Sequence, residues 1–388
     1  MLWKIQRYLT LVIGVALCAA LSSGSRGSAP GSRLGDHYLM LVNTATASSI
    51  NKAQFAQFNR SHYDGLAVSF SPSYDVSAPP PAKQIETQLA DWKTVTKKDI
   101  WPWVFLNRMI GASDSENNSY AQNAYFRRIQ GADLDGKEGA QSDFLLNWGN
   151  ALRAAKDLHV PGIVCDLEFY NNYKEYDPRE LAKSARESTE QAIWHLRALG
   201  AQMADIAAEQ YPDAVIWFLF TGFSNAGYTG ASGEHYFLSS SYVVFGLLDE
   251  IQKRGLPLLV YSGGEVGLGG YCHPSLGQFR DQIYNRNVSF APYLKRYSGS
   301  LELGGTMTLW SDRSAKQGWV AEGDCADCPA ATVEDLQPYL ELLLKSYKYN
   351  WVYGAGAAGY YAFDPHVAPR FDAMIAKAKA NTGASNSR

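Results

Sequence analysis

The chain has 388 residues, 46% hydrophobic and 19% charged, with a formal charge of −3. This composition supports a large buried core and an ordinary globular chain, and excludes a disordered one. Setting aside the first 26 residues, which hold Lys4, Arg7, Arg26 and no acids, takes the charge to −6, and that acidity argues against nucleic-acid binding. Aromatic residues are plentiful, with ten Trp and 24 Tyr, enough both to fill a core and to line a groove that stacks on sugar rings.

Residues 1–26 read as a secretory signal. Lys4 and Arg7 form a basic start, the apolar run 8–17 follows, and small residues come next. The run is too short for a stable membrane span. Cleavage near residues 20–24 is expected, giving a secreted or periplasmic protein. Lipid attachment at Cys18 is disfavoured by the bulky Leu17 before it. Residues up to about 35, rich in Ser, Gly and Arg, form a flexible lead-in, and 36–388 remain for one folded domain.

Eight strand-like apolar runs then recur, each trailed by a helical pattern. They are 37–43, 63–70, 100–106, the run through Ile163, Val164 and Cys165, then 214–220, 257–261, 306–310 and 359–363. Helices are expected over 51–58, 83–92, 144–158, 177–211, 242–253, 276–295, 333–347 and 366–379. The clearest start is Asp177-Pro178-Arg179-Glu180, an N-cap followed by Pro at the first helical position. Short buried strands alternating with helices favour parallel pairing, and eight repeats favour a closed α/β architecture, the (β/α)8 or TIM barrel, as a single domain. An open doubly wound sheet is the alternative, but no glycine-rich phosphate loop follows the first run. The long connections follow strands rather than precede them, which enlarges the face where barrel enzymes carry their sites.

The fourth run ends in Cys165-Asp166-Leu167-Glu168-Phe169-Tyr170. Residues two apart on a strand share a face, so Asp166 and Glu168 are expected on one side, roughly 7 Å apart. Their alternative role is to cap the following loop. Other strand ends supply Asn43, Ser69, Ser71, Asn107, Arg108, Thr221, Glu265, Asp312 and Asp364, with Trp103, Phe169, Tyr170, Phe223, Tyr261, Trp310, Tyr360 and Tyr361 among them. Carboxylates between aromatic walls are what glycosidic hydrolysis uses: one acid protonates the leaving oxygen, and a second group stabilises the oxocarbenium-like centre. Substrate contacts are expected from Asn107, Arg108, Trp103, Tyr170, Tyr261, Trp310, Tyr360 and Tyr361. Glu265, flanked by Gly263-Gly264, and Asp312, after Trp310-Ser311, are the candidates for a second carboxylate.

The segment Gly162-Ile163-Val164-Cys165-Asp166-Leu167-Glu168-Phe169 resembles the fourth-strand signature of chitinase-like and hyaluronidase-like (β/α)8 glycoside hydrolases. The resemblance implies that Glu168 is the general acid/base. It also implies that Asp166 orients a substrate acetamido group, which itself acts as the nucleophile. The chain departs from the chitinase-like pattern at Val164, where that pattern has a further Asp, and at Tyr261-Ser262, where it has Tyr-Asp. Two rivals stand beside this reading. One is a conventional pair of Glu168 with Glu265 or Asp312; the other is a barrel that binds glycan without cleaving it.

No cofactor is expected. The seven His lack metal-binding spacing, so no metal site is expected either. Cys325-Ala-Asp-Cys328 has no second Cys pair to complete a zinc cage, so a disulfide is expected, within this pair or from one of them to Cys272. The expected partner is a carbohydrate, with no nucleic acid and no membrane; the oligomeric state is open.

Overall fold

β-Branched and aromatic runs build the strands, and amphipathic stretches headed by Asn, Asp or Ser caps build several of the helices. The structure, a computed structural model, describes residues 34, 37–46, 51–70, 81–105, 143–168, 173–221, 223, 227–230, 233–265, 275–308, 332–353 and 368–383. The first half holds β1 (Tyr38–Thr46), α1 (Lys52–Arg60), β2 (Gly65–Ser69), α2 (Ala82–Lys93), β3 (Asp99–Phe105), α3 (Asp143–Asp157) and β4 (Gly162–Asp166). A 3-10 turn at Tyr173–Tyr176 leads to α4 (Pro178–Ala185), α5 (Thr189–Gln210) and β5 (Val215–Phe218). Then come β6 (Gly227–Thr229), β7 (His235–Phe237), α6 (Ser239–Arg254), β8 (Leu259–Ser262) and α7 (Leu276–Arg296). The chain ends with β9 (Leu301–Thr308), α8 (Gln337–Ser346), β10 (Tyr349–Tyr353) and α9 (Ala368–Asn381).

Eight of these strands close into a parallel barrel in the order β1-β2-β3-β4-β5-β8-β9-β10, with β10 returning to β1. This is the (β/α)8 barrel expected from the alternation. β6 and β7 form a separate antiparallel hairpin in the connection after β5. The structure corrects three expected elements. The eighth barrel strand is Tyr349–Tyr353, directly after α8, not 359–363, which lies outside the described residues. Asn350 disguises it, since a polar residue inside a short apolar run reads as a turn; here it is buried, and its Nδ2 donates to Tyr347 O at 2.9 Å. The seventh strand starts at Leu301, five residues earlier than expected, because Gly304-Gly305 mask its first half. The long helix expected over 177–211 is two: Arg186 turns left-handed at φ 60°, and Ser188 with Gln191 opens α5 through a reciprocal capping box.

The registers fix which side chains face the lumen. Tyr38 pairs with Tyr349, Ala67 with Trp101, Val164 with Trp217, and Trp217 with Tyr261. These rungs share one parity, and it points inward: Tyr38 on β1 lies 6.3 Å from Trp217 on β5, the strand diametrically opposite. Trp101 stands 6.1 Å from Trp217, and Tyr261 stands 5.6 Å from Trp217 and 4.4 Å from Tyr349. Five rings thus plug the barrel. Space for them comes from glycines on the intervening strands. A Cβ on Gly65 would stand 2.2 Å from Tyr38 Oη and 3.0 Å from Trp101 Nε1, and one on Gly304 would stand 3.1 Å from Tyr349 O. Removing one ring of such a plug costs about 3–5 kcal/mol in a typical core.

Below the plug, Trp101 Nε1 donates to Tyr38 Oη at 2.8 Å, and Tyr38 Oη donates to Asp99 Oδ2 at 3.0 Å. Burial raises the Asp99 carboxyl to about 6 against an ordinary 3.8, with the Tyr38 hydroxyl and Lys93 opposing the rise. The folded chain therefore holds Asp99 protonated where the unfolded chain has already ionised it. Stability falls as pH rises from 3.8 to about 6, and the cost is complete above that. Asp99→Asn keeps an acceptor for Tyr38 and removes the charge. We expect it to raise stability by about 1–3 kcal/mol at pH 7.5 and by almost nothing at pH 3.5, read from urea melts at the two pH values.

Candidate functional site

Inward parity runs up β4 through Val164 to Asp166, which pairs with Phe105 at the C-terminal rim of the barrel. Asp166 is 2% exposed and Glu168 is half-buried. Asp166 Oδ1 accepts the Glu168 backbone N–H at 2.9 Å. That bond turns the chain and ends the strand, because a short carboxylate two residues back competes with the sheet for the N–H. The uninterrupted strand face expected for Asp166 and Glu168 is therefore replaced by a strand end and a turn. Through that bond Asp166 holds the backbone from which Glu168 projects. One residue before Asp166 and on the opposite face of the strand, Cys165 is a buried free thiol whose pKa is pushed well up, by burial first and by the Asp166 carboxylate second.

Glu265 reaches the same rim by a backbone route. Cys165 O accepts from Leu219 N at 3.1 Å, and Leu219 O accepts from Glu265 N at 3.3 Å. The ladder thus continues past the formal ends of β5 and β8, with Glu265 two strands from Asp166. Two strand spacings separate the fourth strand from this segment by about 10 Å across the sheet, with Gly263 level with Asp166 and Glu265 two residues further on. Gly263 makes the route possible. Its N–H donates to Phe218 O at 2.6 Å, and its carbonyl accepts from Trp351 Nε1 at 2.8 Å. A Cβ there would stand 2.6 Å from Phe218 O and 2.8 Å from Trp351 Nε1. Gly264 then turns with φ +88°, a conformation open to glycine.

Trp103 lies one layer below Phe105, the two rings 4.4 Å apart, and is 4% exposed. Tyr261 is fully buried in the plug, and its ring belongs to the barrel core. Thr221, at the end of the fifth strand, shares a 2.8 Å hydrogen bond with Ser262 Oγ. Asn107, Arg108, Tyr170, Trp310, Asp312, Tyr360 and Tyr361 lie outside the described residues, as do Cys272, Cys325 and Cys328. Two contributors escaped the sequence reading. Trp351 went unnoticed with its strand. Arg286 was not singled out, yet it falls among Phe279, Ile283 and Phe290 on the buried face of α7 and is 3% exposed. A charge at an apolar-face position was the available cue. Among the described residues no group of His, Cys, Asp and Glu could hold a metal ion, and no helix is long and apolar enough to cross a membrane.

No protein-family model matches the chain, and no curated protein matches it. Solved structures do. A family 5 glycoside hydrolase from Prevotella bryantii B14 aligns at 9% identity and a TM-score of 0.48, over 91% of this chain and 99% of that one. The catalytic domain of a beta-amylase from Paenibacillus polymyxa aligns at 9% identity and 0.39, over 89% and 100%. A nitroalkane oxidase from Streptomyces ansochromogenes aligns at 13% identity and 0.23, over 88% and 86%. The chain has a barrel that resembles glycoside hydrolases at low identity. Likeness of this degree carries no argument about chemistry, and fold alone never does.

The crowding at Gly263 yields a direct test. Gly263→Ala should lower stability by about 2 kcal/mol or more, seen in thermal melts, since neither the Phe218 carbonyl nor the Trp351 indole can withdraw without breaking its own bond.

Proposed function

We propose that this protein hydrolyses glycosidic bonds of an oligo- or polysaccharide at the C-terminal mouth of its barrel, with Glu168 as general acid/base. The observation that supports this is that residues bearing carboxylates come from two non-adjacent strands to one rim: Asp166 and Glu168 from the fourth, Glu265 from the sixth. In the reaction, Glu168 gives its proton to the leaving oxygen as the glycosidic C–O bond breaks. It then takes a proton from the water that supplies the new hydroxyl. Glu265 is the second carboxylate, carried two strands away from the fourth at the same rim, the kind of placement across a reacting centre that two-carboxylate glycosidases use. Asp166 holds the Glu168 turn. Outside the cell is the proposed place of action, after removal of residues 1–26.

A second reading keeps its own support. Asp166 and Glu168 share one turn, as they would if Asp166 oriented an N-acyl group of the substrate and that group were the nucleophile. The two readings part on mutation. Glu168→Gln should cut turnover by at least ~10²-fold in either, with melting unchanged. Asp166→Asn keeps the Oδ1 acceptor and so keeps the turn. With a carboxylate pair, Glu265→Gln is far more damaging than Asp166→Asn; with an N-acyl nucleophile the order reverses, and cleavage is confined to N-acylated sugars. The measurement is reducing-end release on a panel of neutral and N-acetylated polysaccharides. Binding to a member of the panel without cleavage of any would make the protein a glycan-binding barrel instead.

A further inference from the structure

We propose that Arg286 is a positioning residue for the barrel mouth, a clamp that sets where Glu265 stands; as a statement about catalysis this rests on the carboxylate-pair reading above. The β8–β9 pairing ends at Ser262 and Leu303, while β9 runs on to Thr308 paired only with β10. The two strands part at that point. Arg286, reaching in from α7, sits in the fork: one guanidinium nitrogen donates to Gly304 O at 2.7 Å and the other to Ser262 O at 2.8 Å. Its plane is packed against the rings of Phe290 and Tyr347, 5.2 and 5.1 Å from their centroids. Ser262 Oγ, 3.5 Å from the same nitrogen, pairs with Thr221 Oγ1 at 2.8 Å. Arg286 thereby ties β8 to β9 just below Gly263, and Ser262 links the pair to the segment after β5.

The consequence falls on the next three residues. Past the last β9 pairing, the segment 263–265 keeps only the β5 side that β8 already follows, by Gly263 N to Phe218 O and Glu265 N to Leu219 O. That direction carries Glu265 toward the fourth-strand acids and away from the seventh strand. A planar fork with fixed donors suits two carbonyls on parting strands; a Lys ammonium, a single point on a flexible stem, cannot span both in the same way. The bland role for Arg286 is to fill and hold the core, which would affect stability alone.

The test uses the full chain with Arg286→Lys. Hydrogen exchange of the peptide covering 259–265 should quicken by at least ~10-fold relative to peptides from β1–β3, while the global melt stays cooperative. On a polysaccharide that the wild type cleaves, kcat should drop on the order of 10²-fold, KM should change little, and the pH profile should shift because the second carboxylate has moved. Unchanged exchange in a folded variant overturns the clamp whatever the activity. Faster exchange with kcat and pH profile unchanged overturns the positioning role. Should Arg286→Lys fail to fold, Arg286→Gln, which keeps a donor but cannot reach both carbonyls, is read by the same criteria. If the wild type cleaves nothing on the panel, the glycosidase reading falls. The clamp is then decided by exchange alone, quickened exchange supporting it and unchanged exchange overturning it.

Discussion

Five aromatic rings share the lumen of the barrel, and the layers above stand on them. Tyr38, Trp101, Trp217, Tyr261 and Tyr349 come from five strands and touch across the axis, so no one of these strands can slip without displacing the others. Slippage by one residue would turn each strand's inward set outward. The plug therefore locks the register of the sheet, and through the register it decides that Asp166 and Phe105, not Cys165 and Val104, close the lumen at the rim. Polar handles on the rings are put to use as well: Trp101 and Tyr38 carry a hydrogen-bonded relay down to Asp99, which makes the N-terminal mouth the part of the fold that weakens as pH rises.

At the rim, main-chain bonds do what side chains often do elsewhere. Glu265 arrives by a ladder that outlasts the regular strands, Glu168 by a turn that one carboxylate fastens, and Gly263 by an indole reaching over from the eighth strand. Each device fixes backbone and leaves the carboxylate ends to be set by their surroundings. A rim held this way sits on a rigid scaffold, which suits chemistry that depends on placement to a fraction of an ångström.

The barrel was legible in the sequence because its strands are short, apolar and regularly spaced, and seven of the eight expected runs fall on barrel strands. Where the reading slipped, a local feature outweighed the pattern: Asn350 inside the last strand, Gly304-Gly305 inside the seventh, and the unmarked break before Ser188. The acids of the fourth strand were legible as a motif, but their geometry was not. Alternation holds only while the strand lasts, and the Asp166 side chain is what stops it. Arg286 was hidden for a different reason. A buried cation that binds two carbonyls leaves no complementary acid in the sequence to pair it with, and only its position on an apolar helix face betrays it.

Cys165 has a use beyond packing. It sits on the strand that carries the acids, one residue before Asp166, with its back to the lumen and no exposed surface. Burial and the adjacent carboxylate both suppress the thiolate, which is the reactive form, so the native chain presents no target there. An alkylating reagent can meet this sulfur only when the fourth strand leaves the helices behind it. Its modification rate is thus a clock for the opening of the strand that bears the candidate acid, built into the wild-type chain and independent of any substrate.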